Sequence, residues 1–96
     1  MRRQEAIELL RRHRDDIAAH GVRAMYLFGS TARDQAKAGS AVDLFIDYEE
    51  GFSLLDLVAL KEHVGRLLGS TADLTTRAGL HPLLRNDILR EAERVF

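Results

Sequence analysis

Two short segments combine residue types that could handle a phosphate-bearing ligand and a metal ion. Gly29-Ser30 follows an apolar stretch, and a glycine turn lets backbone N–H groups approach an anion while the serine hydroxyl adds a donor. Asp43 lies in the next apolar stretch, where alternation places positions 41 and 43 on one side, about 6.5 to 7 Å apart. Two carboxylates there could flank two metal ions about 3.5 to 4 Å apart, as in displacement at phosphorus. Position 41, however, is Ala41.

Each of these residues also has an ordinary structural interpretation. Gly29-Ser30 alone is a common turn at the end of a strand, and only its combination with Asp43 and a third carboxylate, Asp73, favours a phosphate site. Asp73 by itself could be a turn residue beside a short strand. Arg33 could reach a phosphate or lie exposed after the turn. Ser30 has no His and acid pattern nearby to activate it, which disfavours a hydrolase nucleophile, and the four histidines lack metal-ligand spacing.

The elements that must position these residues follow from apolar periodicity and from helix start and stop signals. Ser53 followed by Asp56 is a variant of the capping box, and Gly69 offers a left-handed stop for the helix between them. Pro82 suits the first turn of a last helix, whose apolar pattern continues to Val95. The predicted strands are 22–28, 42–47 and 72–76, and the predicted helices are 3–19, 31–35, 53–69 and 82–95.

The resulting order, α-β-(α)-β-α-β-α, predicts an α/β fold in which helices pack on a small mixed sheet of about three to four strands. The 96 residues fit one domain spanning 1–96. The absence of cysteine excludes disulfides and thiolate metal sites and favours a cytoplasmic location. A net charge of −1 makes nucleic acid an unlikely ligand, and no apolar run approaches the ~20 residues that a membrane span needs.

The spacing of the motif residues resembles that of a known family. Gly29-Ser30, the ten residues 31–40 and then an Asp-x-Asp position are similar to the signature of the polymerase-beta-like nucleotidyltransferases. Asp43 matches the second aspartate of that signature, and Asp73 resembles the family's third carboxylate. The chain looks like the smallest members, the minimal nucleotidyltransferases that serve as antitoxins beside HEPN-domain toxins. The similarity extends over nearly the whole chain, including the ending 84–92.

The resemblance implies both a chemistry and a fold, the nucleotidyltransferase fold. Two magnesium ions held by three carboxylates would bind the triphosphate of ATP. Ser30, the turn backbone and Arg33 would contact its phosphates. Asp73 would orient or deprotonate the attacking hydroxyl, and pyrophosphate would leave. The implied product is a HEPN-domain partner carrying AMP on a tyrosine. Asp43 and Asp73 are therefore the expected metal ligands and catalytic residues.

Ala41 is the one departure from the pattern, since it stands where the family has its first aspartate. A methyl group cannot bind a metal, and Asp47 is no substitute because it lies about 13 Å along the strand from Asp43. We therefore expect little transfer activity from this chain. Because Gly29, Ser30, Asp43 and Asp73 are all present, a single inactivating substitution is favoured over gradual decay.

Two further functions compete with transfer to a partner protein. The chain could instead be a non-catalytic antitoxin that neutralises its partner by binding, with a vestigial nucleotide site. Transfer to a small molecule, as in aminoglycoside-modifying relatives, is disfavoured because those proteins carry an additional domain for the acceptor. An experiment that restores Asp at position 41 would distinguish AMP transfer to a partner protein from neutralisation by binding.

Overall fold

The computed structural model describes all residues from 1 to 96 and has a four-stranded mixed sheet at its centre. The strands lie in the order β3-β2-β1-β4, with β1 antiparallel to both of its neighbours and β2 parallel to β3. The α/β fold with a small mixed sheet is thereby confirmed. The strands are β1 (Val22–Phe28), β2 (Val42–Tyr48), β3 (Ala72–Thr76) and β4 (Glu93–Arg94).

Five helices and a 3-10 turn at Arg77–Gly79 complete the chain. The longest helix connects β2 to β3, as a parallel pair requires a long crossover. No helix is both long enough and apolar enough to cross a membrane. The helices are α1 (Arg3–Arg12), α2 (Arg14–Ala18), α3 (Gly29–Ala32), α4 (Leu54–Leu68) and α5 (Arg85–Glu91).

The predicted start and stop signals of α4 are confirmed. The Asp56 N–H donates to the Ser53 hydroxyl oxygen at 3.3 Å, and the Ser53 N–H donates to the Asp56 carboxylate at 2.7 Å. Gly69 follows the helix with a φ of +62°, the left-handed conformation that favours glycine. These local contacts satisfy orphan backbone groups at both ends of the helix, so its bounds could be predicted from sequence alone.

One face of the sheet is covered by helices and forms the core, while the other carries the polar motif residues. Alternate strand residues such as Leu27, Leu44 and Leu74 point into a single buried cluster with helix residues such as Leu10 and Leu60. The residues between them point the other way, and this opposite face holds the two carboxylates of the predicted site.

The predicted first helix, 3–19, is broken in the structure. His13, with φ of −105° and ψ of 21°, ends α1 and begins α2. Leu10 before the break and Ile17 after it are both fully buried. The chain has no Gly or Pro at the break, so the sequence does not predict it. The break leaves side chains buried on both sides of it. The predicted short helix 31–35 is also displaced, because α3 begins at Gly29 and ends at Ala32.

The predicted last helix, 82–95, is wrong at both ends. Pro82 lies in a turn before α5, and the chain leaves the helix after Glu91 to form β4. The Val95 N–H donates to the Met25 carbonyl at 2.8 Å, and the Met25 N–H donates to the Phe96 carbonyl at 3.1 Å. Unpaired backbone groups along the edge of β1 are costly, and pairing them outweighs the helical periodicity that Val95 continues.

Two neighbouring histidines make the stability of the fold depend on pH. The rings of His20 and His63 lie 4.9 Å apart between centroids, and the His63 Nε2 atom is buried without a hydrogen-bond partner. Burial and the nearby charge of His20 lower the pKa of His63 below its ordinary value. A proton is therefore bound more weakly in the folded than in the unfolded chain. The free energy of unfolding therefore decreases as the pH falls from the unfolded pKa of about 6.5 toward the folded pKa of His63.

We expect His63→Asn to reduce the loss of stability on acidification. The measurement is the urea midpoint at about pH 7.5 and about pH 5.5, compared between the unchanged chain and the variant. His81→Asn serves as the matched control, because His81 is exposed. An equal loss in the unchanged chain and in His63→Asn would refute the role of this ring.

Candidate active site

The turn after β1 packs directly against a carboxylate of β2. Phe28, the last residue of β1, is the register partner of Asp43, so the following Gly29 lies beside that side chain. Gly29 has a φ of +73°, and a Cβ atom built on it would overlap the Oδ2 atom of the Asp43 carboxylate. A side chain at this position would force the Asp43 carboxylate to move. Glycine is required both by the backbone conformation and by the close approach.

The two predicted metal ligands lie side by side. Asp43 and Asp73 are register partners on the parallel strands β2 and β3. Asp43 is half-buried and Asp73 is exposed, and neither forms an ion pair within the chain. Burial, followed by the charge of Asp73, raises the pKa of Asp43 above the ordinary value for aspartate. The pair thus concentrates negative charge that a cation would relieve.

Position 41 adds no third carboxylate to this pair. Ala41 immediately precedes β2, and alternation along the chain directs it toward the side that carries Asp43. No cluster of three or more His, Cys, Asp or Glu side chains is placed to hold a metal ion. The site therefore offers two neighbouring carboxylates and a methyl group at the third position.

The other predicted ligand-binding residues are distributed around α3. Ser30 is in the first turn of this helix, next to Gly29, and its hydroxyl makes no hydrogen bond within the chain. Arg33 is the C-cap residue of α3, and its side chain forms an ion pair with Glu91. Its Nη1 donates to both carboxylate oxygens of Glu91, at 3.2 and 2.9 Å. The structure therefore brings Gly29, Asp43 and Asp73 together, places Ser30 next to Gly29, and pairs Arg33 with a carboxylate of the chain itself.

Glu91 is a residue of the site that sequence reasoning missed. It lies at the end of α5, and its Oε1 accepts a hydrogen bond from the Gly29 N–H at 3.1 Å. In the sequence, Glu91 is one more residue of an apparent helical pattern that continues to Val95. Nothing local connects it to a turn 62 residues earlier, so only the folded chain shows the contact.

Asp47, on the same side of β2 as Asp43, is neutralised by an arginine. Arg77 donates from Nε and Nη2 to the two carboxylate oxygens of Asp47, at 2.8 and 2.9 Å. The same guanidinium lies 5.0 Å from the ring centre of Tyr26 and 5.1 Å from that of Phe45. The hydrogen bonds from Arg77 lower the pKa of Asp47 below its ordinary value. This carboxylate is therefore part of a structural ion pair, in keeping with the prediction that it does not replace a ligand at position 41.

Comparison with known proteins provides independent information. The sequence pattern of the nucleotidyltransferase domain family matches residues 9–95. A Methanocaldococcus jannaschii protein named as a protein adenylyltransferase is 44% identical over 77 residues, covering 80% of this chain and 83% of that protein. A solved structure described as a minimal nucleotidyltransferase has a TM-score of 0.74 at 41% identity, covering 91% of this chain and 93% of its own.

A further solved structure is more distant in sequence. It is described as a tri-AMPylated Shewanella oneidensis HEPN toxin in complex with MNT antitoxin. The TM-score is 0.67 at 14% identity, with 94% of this chain and 71% of the matched chain covered. This likeness shows a shared fold.

The contact between Gly29 and Asp43 predicts the effect of adding a single methyl group. Gly29→Ala should lower the free energy of unfolding by roughly 2 to 4 kcal/mol, because the left-handed backbone and the clash with the carboxylate both oppose the new Cβ. Gly39→Ala is the matched control: its φ is +84°, and no atom lies within 4 Å of the added Cβ. That variant should lose only about 1 kcal/mol. Urea unfolding measures both values, and equal losses would show that the approach to Asp43 has no energetic consequence.

Proposed function

The chain belongs to the nucleotidyltransferase domain family, and on that basis we propose that it is an antitoxin-type nucleotidyltransferase whose intact site transfers AMP from ATP to a HEPN-domain toxin. The observation that carries this proposal is the contact of the Gly29 turn with Asp43, next to Asp73. A phosphate-binding turn and an acidic pair then face one ligand. The name of the Methanocaldococcus jannaschii relative supports adenylyl transfer, and the described HEPN toxin complex supports the class of partner.

The acidic pair fits magnesium. Mg²⁺ is commonly bound through one or two carboxylates together with substrate phosphates and water, and Asp43 and Asp73 offer two carboxylates at one point. A cation would also favour the charged form of Asp43, whose pKa is raised by burial and then by the charge of Asp73. When bound, magnesium supplies neutralisation of the charge on the triphosphate. In an intact site with two ions, position 41 would add the remaining carboxylate.

The residues around the turn have distinct roles in this mechanism. Ser30 and the backbone of the first turn of α3 hold phosphate oxygens of ATP, since the Ser30 hydroxyl is not engaged within the chain. Asp73, the more exposed of the two carboxylates, orients or deprotonates the acceptor hydroxyl, as the family resemblance implies. The acceptor oxygen bonds to the α-phosphorus as the bond from that phosphorus to the pyrophosphate oxygen breaks, and pyrophosphate leaves.

Ala41 favours a second candidate function for this particular chain. Without a carboxylate at that position, the site has lost one anionic ligand, while the turn and the acidic pair keep their arrangement. A chain in this state could still occupy its partner. Neutralisation of the HEPN-domain protein by binding alone, with a vestigial nucleotide site, is therefore the alternative to be distinguished by experiment.

We expect Ala41→Asp to raise the rate of AMP transfer by more than about 100-fold, a larger effect than is typical for residues that only support metal ligands. The measurement uses purified chain, magnesium, ATP labelled at the α-phosphate and a HEPN-domain toxin as the acceptor partner. Covalent label on that partner is quantified over time.

Ala41→Asn is the matched control, because it adds a side chain of the same shape without the charge. It should leave transfer near the level of the unchanged chain. Equal rates for the unchanged chain and for Ala41→Asp would contradict the assignment of position 41. Inhibition of the partner without any label in Ala41→Asp would instead support neutralisation by binding.

A further inference from the structure

Glu91 makes three polar contacts with the segment from Gly29 to Arg33. Its Oε1 accepts from the Gly29 N–H at 3.1 Å, and Arg33 Nη1 donates to Oε1 at 3.2 Å and to Oε2 at 2.9 Å. The side chain of Glu91 is 29% exposed, so the ion pair with Arg33 is partly shielded from water. These contacts join the end of α5 to both ends of α3.

The contacts replace a local cap that α3 lacks. Phe28 occupies the N-cap position of this helix and has no side-chain acceptor, so the first backbone N–H of α3 has no partner nearby in the sequence. The Glu91 carboxylate supplies that acceptor from 62 residues away. The same carboxylate holds Arg33, which ends the helix. A short helix that is unstable alone is thereby held at both ends by one side chain.

The position of this helix matters because the turn has almost no clearance. Gly29 lies so close to the Asp43 carboxylate that even one added carbon would overlap it. A small displacement of the turn would therefore change the distance between Ser30 and the acidic pair. Geometry errors of about 1 Å at a site of this kind can lower rates by about 10²-fold.

We propose that Glu91 is a positioning residue: it fixes the Gly29–Arg33 segment against Asp43, so that Ser30 and the acidic pair contact the same triphosphate. The inference rests on the proposed function for the identity of the ligand. It assigns Arg33 to the support of the turn, as the partner of Glu91, and it does not make Arg33 a phosphate ligand.

If Glu91 instead competed with the nucleotide for the turn, its removal would have the opposite effect on nucleotide binding. A negative charge beside a triphosphate repels it, so a carboxylate that merely competed for the turn would weaken nucleotide binding, and its removal would strengthen binding. A positioning role requires that removal of Glu91 weakens binding despite the relief of repulsion. The sign of the change therefore separates the two roles.

The test measures binding of magnesium AMP-PNP by calorimetry in the Ala41→Asp chain. Glu91→Ala should raise the Kd about 10-fold or more, the range seen when residues supporting a site are removed. Glu91→Gln should restore much of the affinity, because its amide oxygen still accepts from the Gly29 N–H. Asp87→Asn is the matched control. Asp87 lies on the same helix as Glu91, and both residues line a cavity of about 280 Å³ beside the turn. The Asp87 carboxylate, however, pairs only with Arg90. This variant should change the Kd less than about twofold.

Hydrogen exchange gives a readout that needs no nucleotide. In Glu91→Ala the Gly29 amide should exchange at least about 10-fold faster, while the Leu27 amide within β1 keeps its protection. Unchanged Gly29 exchange, or tighter AMP-PNP binding by Glu91→Ala, would overturn the positioning role. A failure of the proposed function looks different: Ala41→Asp would transfer no label, while the dependence of AMP-PNP binding on Glu91 would persist. Absence of AMP-PNP binding by Ala41→Asp would overturn both.

Discussion

The approach of the Gly29 backbone to the Asp43 carboxylate is the contact on which the rest of the site depends. It exists because β1 and β2 pair with Phe28 opposite Asp43, so the chain must turn at the point where the acidic side chain lies. A residue with a Cβ would strain the left-handed backbone and displace the Asp43 carboxylate, so glycine is strongly favoured at that turn. Ser30 follows Gly29 at this turn, and the parallel pairing of β2 with β3 places Asp73 beside Asp43. Gly29 thus meets Asp43 next to Asp73, and these three residues lie on segments that are separated in the sequence.

The charges along β2 explain why one end of this strand is the site and the other is not. Asp47 is held by two hydrogen bonds from Arg77, and this pairing holds its pKa low. Asp43 has no such partner, and burial together with the charge of Asp73 raises its pKa. Arg33, whose positive charge acts on Asp43, is itself paired with Glu91. Along β2, the carboxylate is therefore paired at Asp47 and left without a salt-bridge partner at Asp43.

Elements with local signals could be predicted, and elements decided by distant contacts could not. The strands β1 and β3 have their predicted bounds, and α4 begins at the Ser53 capping box and ends at Gly69, because these signals act within one turn of the chain. The break at His13 and the exit of the chain after Glu91 have no such signal. Both follow from docking on the sheet, which overrides periodicity where buried side chains and unpaired strand edges must be satisfied.

The sequence by itself determined the reactive residue types and their spacing: the glycine turn, the serine, the aspartates at 43 and 73, and the alanine at 41. It could do so because strand alternation and the turn act over a few residues. The tertiary structure alone decided that Asp47 is bound to Arg77 and that Glu91 holds Gly29 and Arg33. Those contacts span 30 to 62 residues, and no local pattern encodes which distant side chain will meet a given backbone amide.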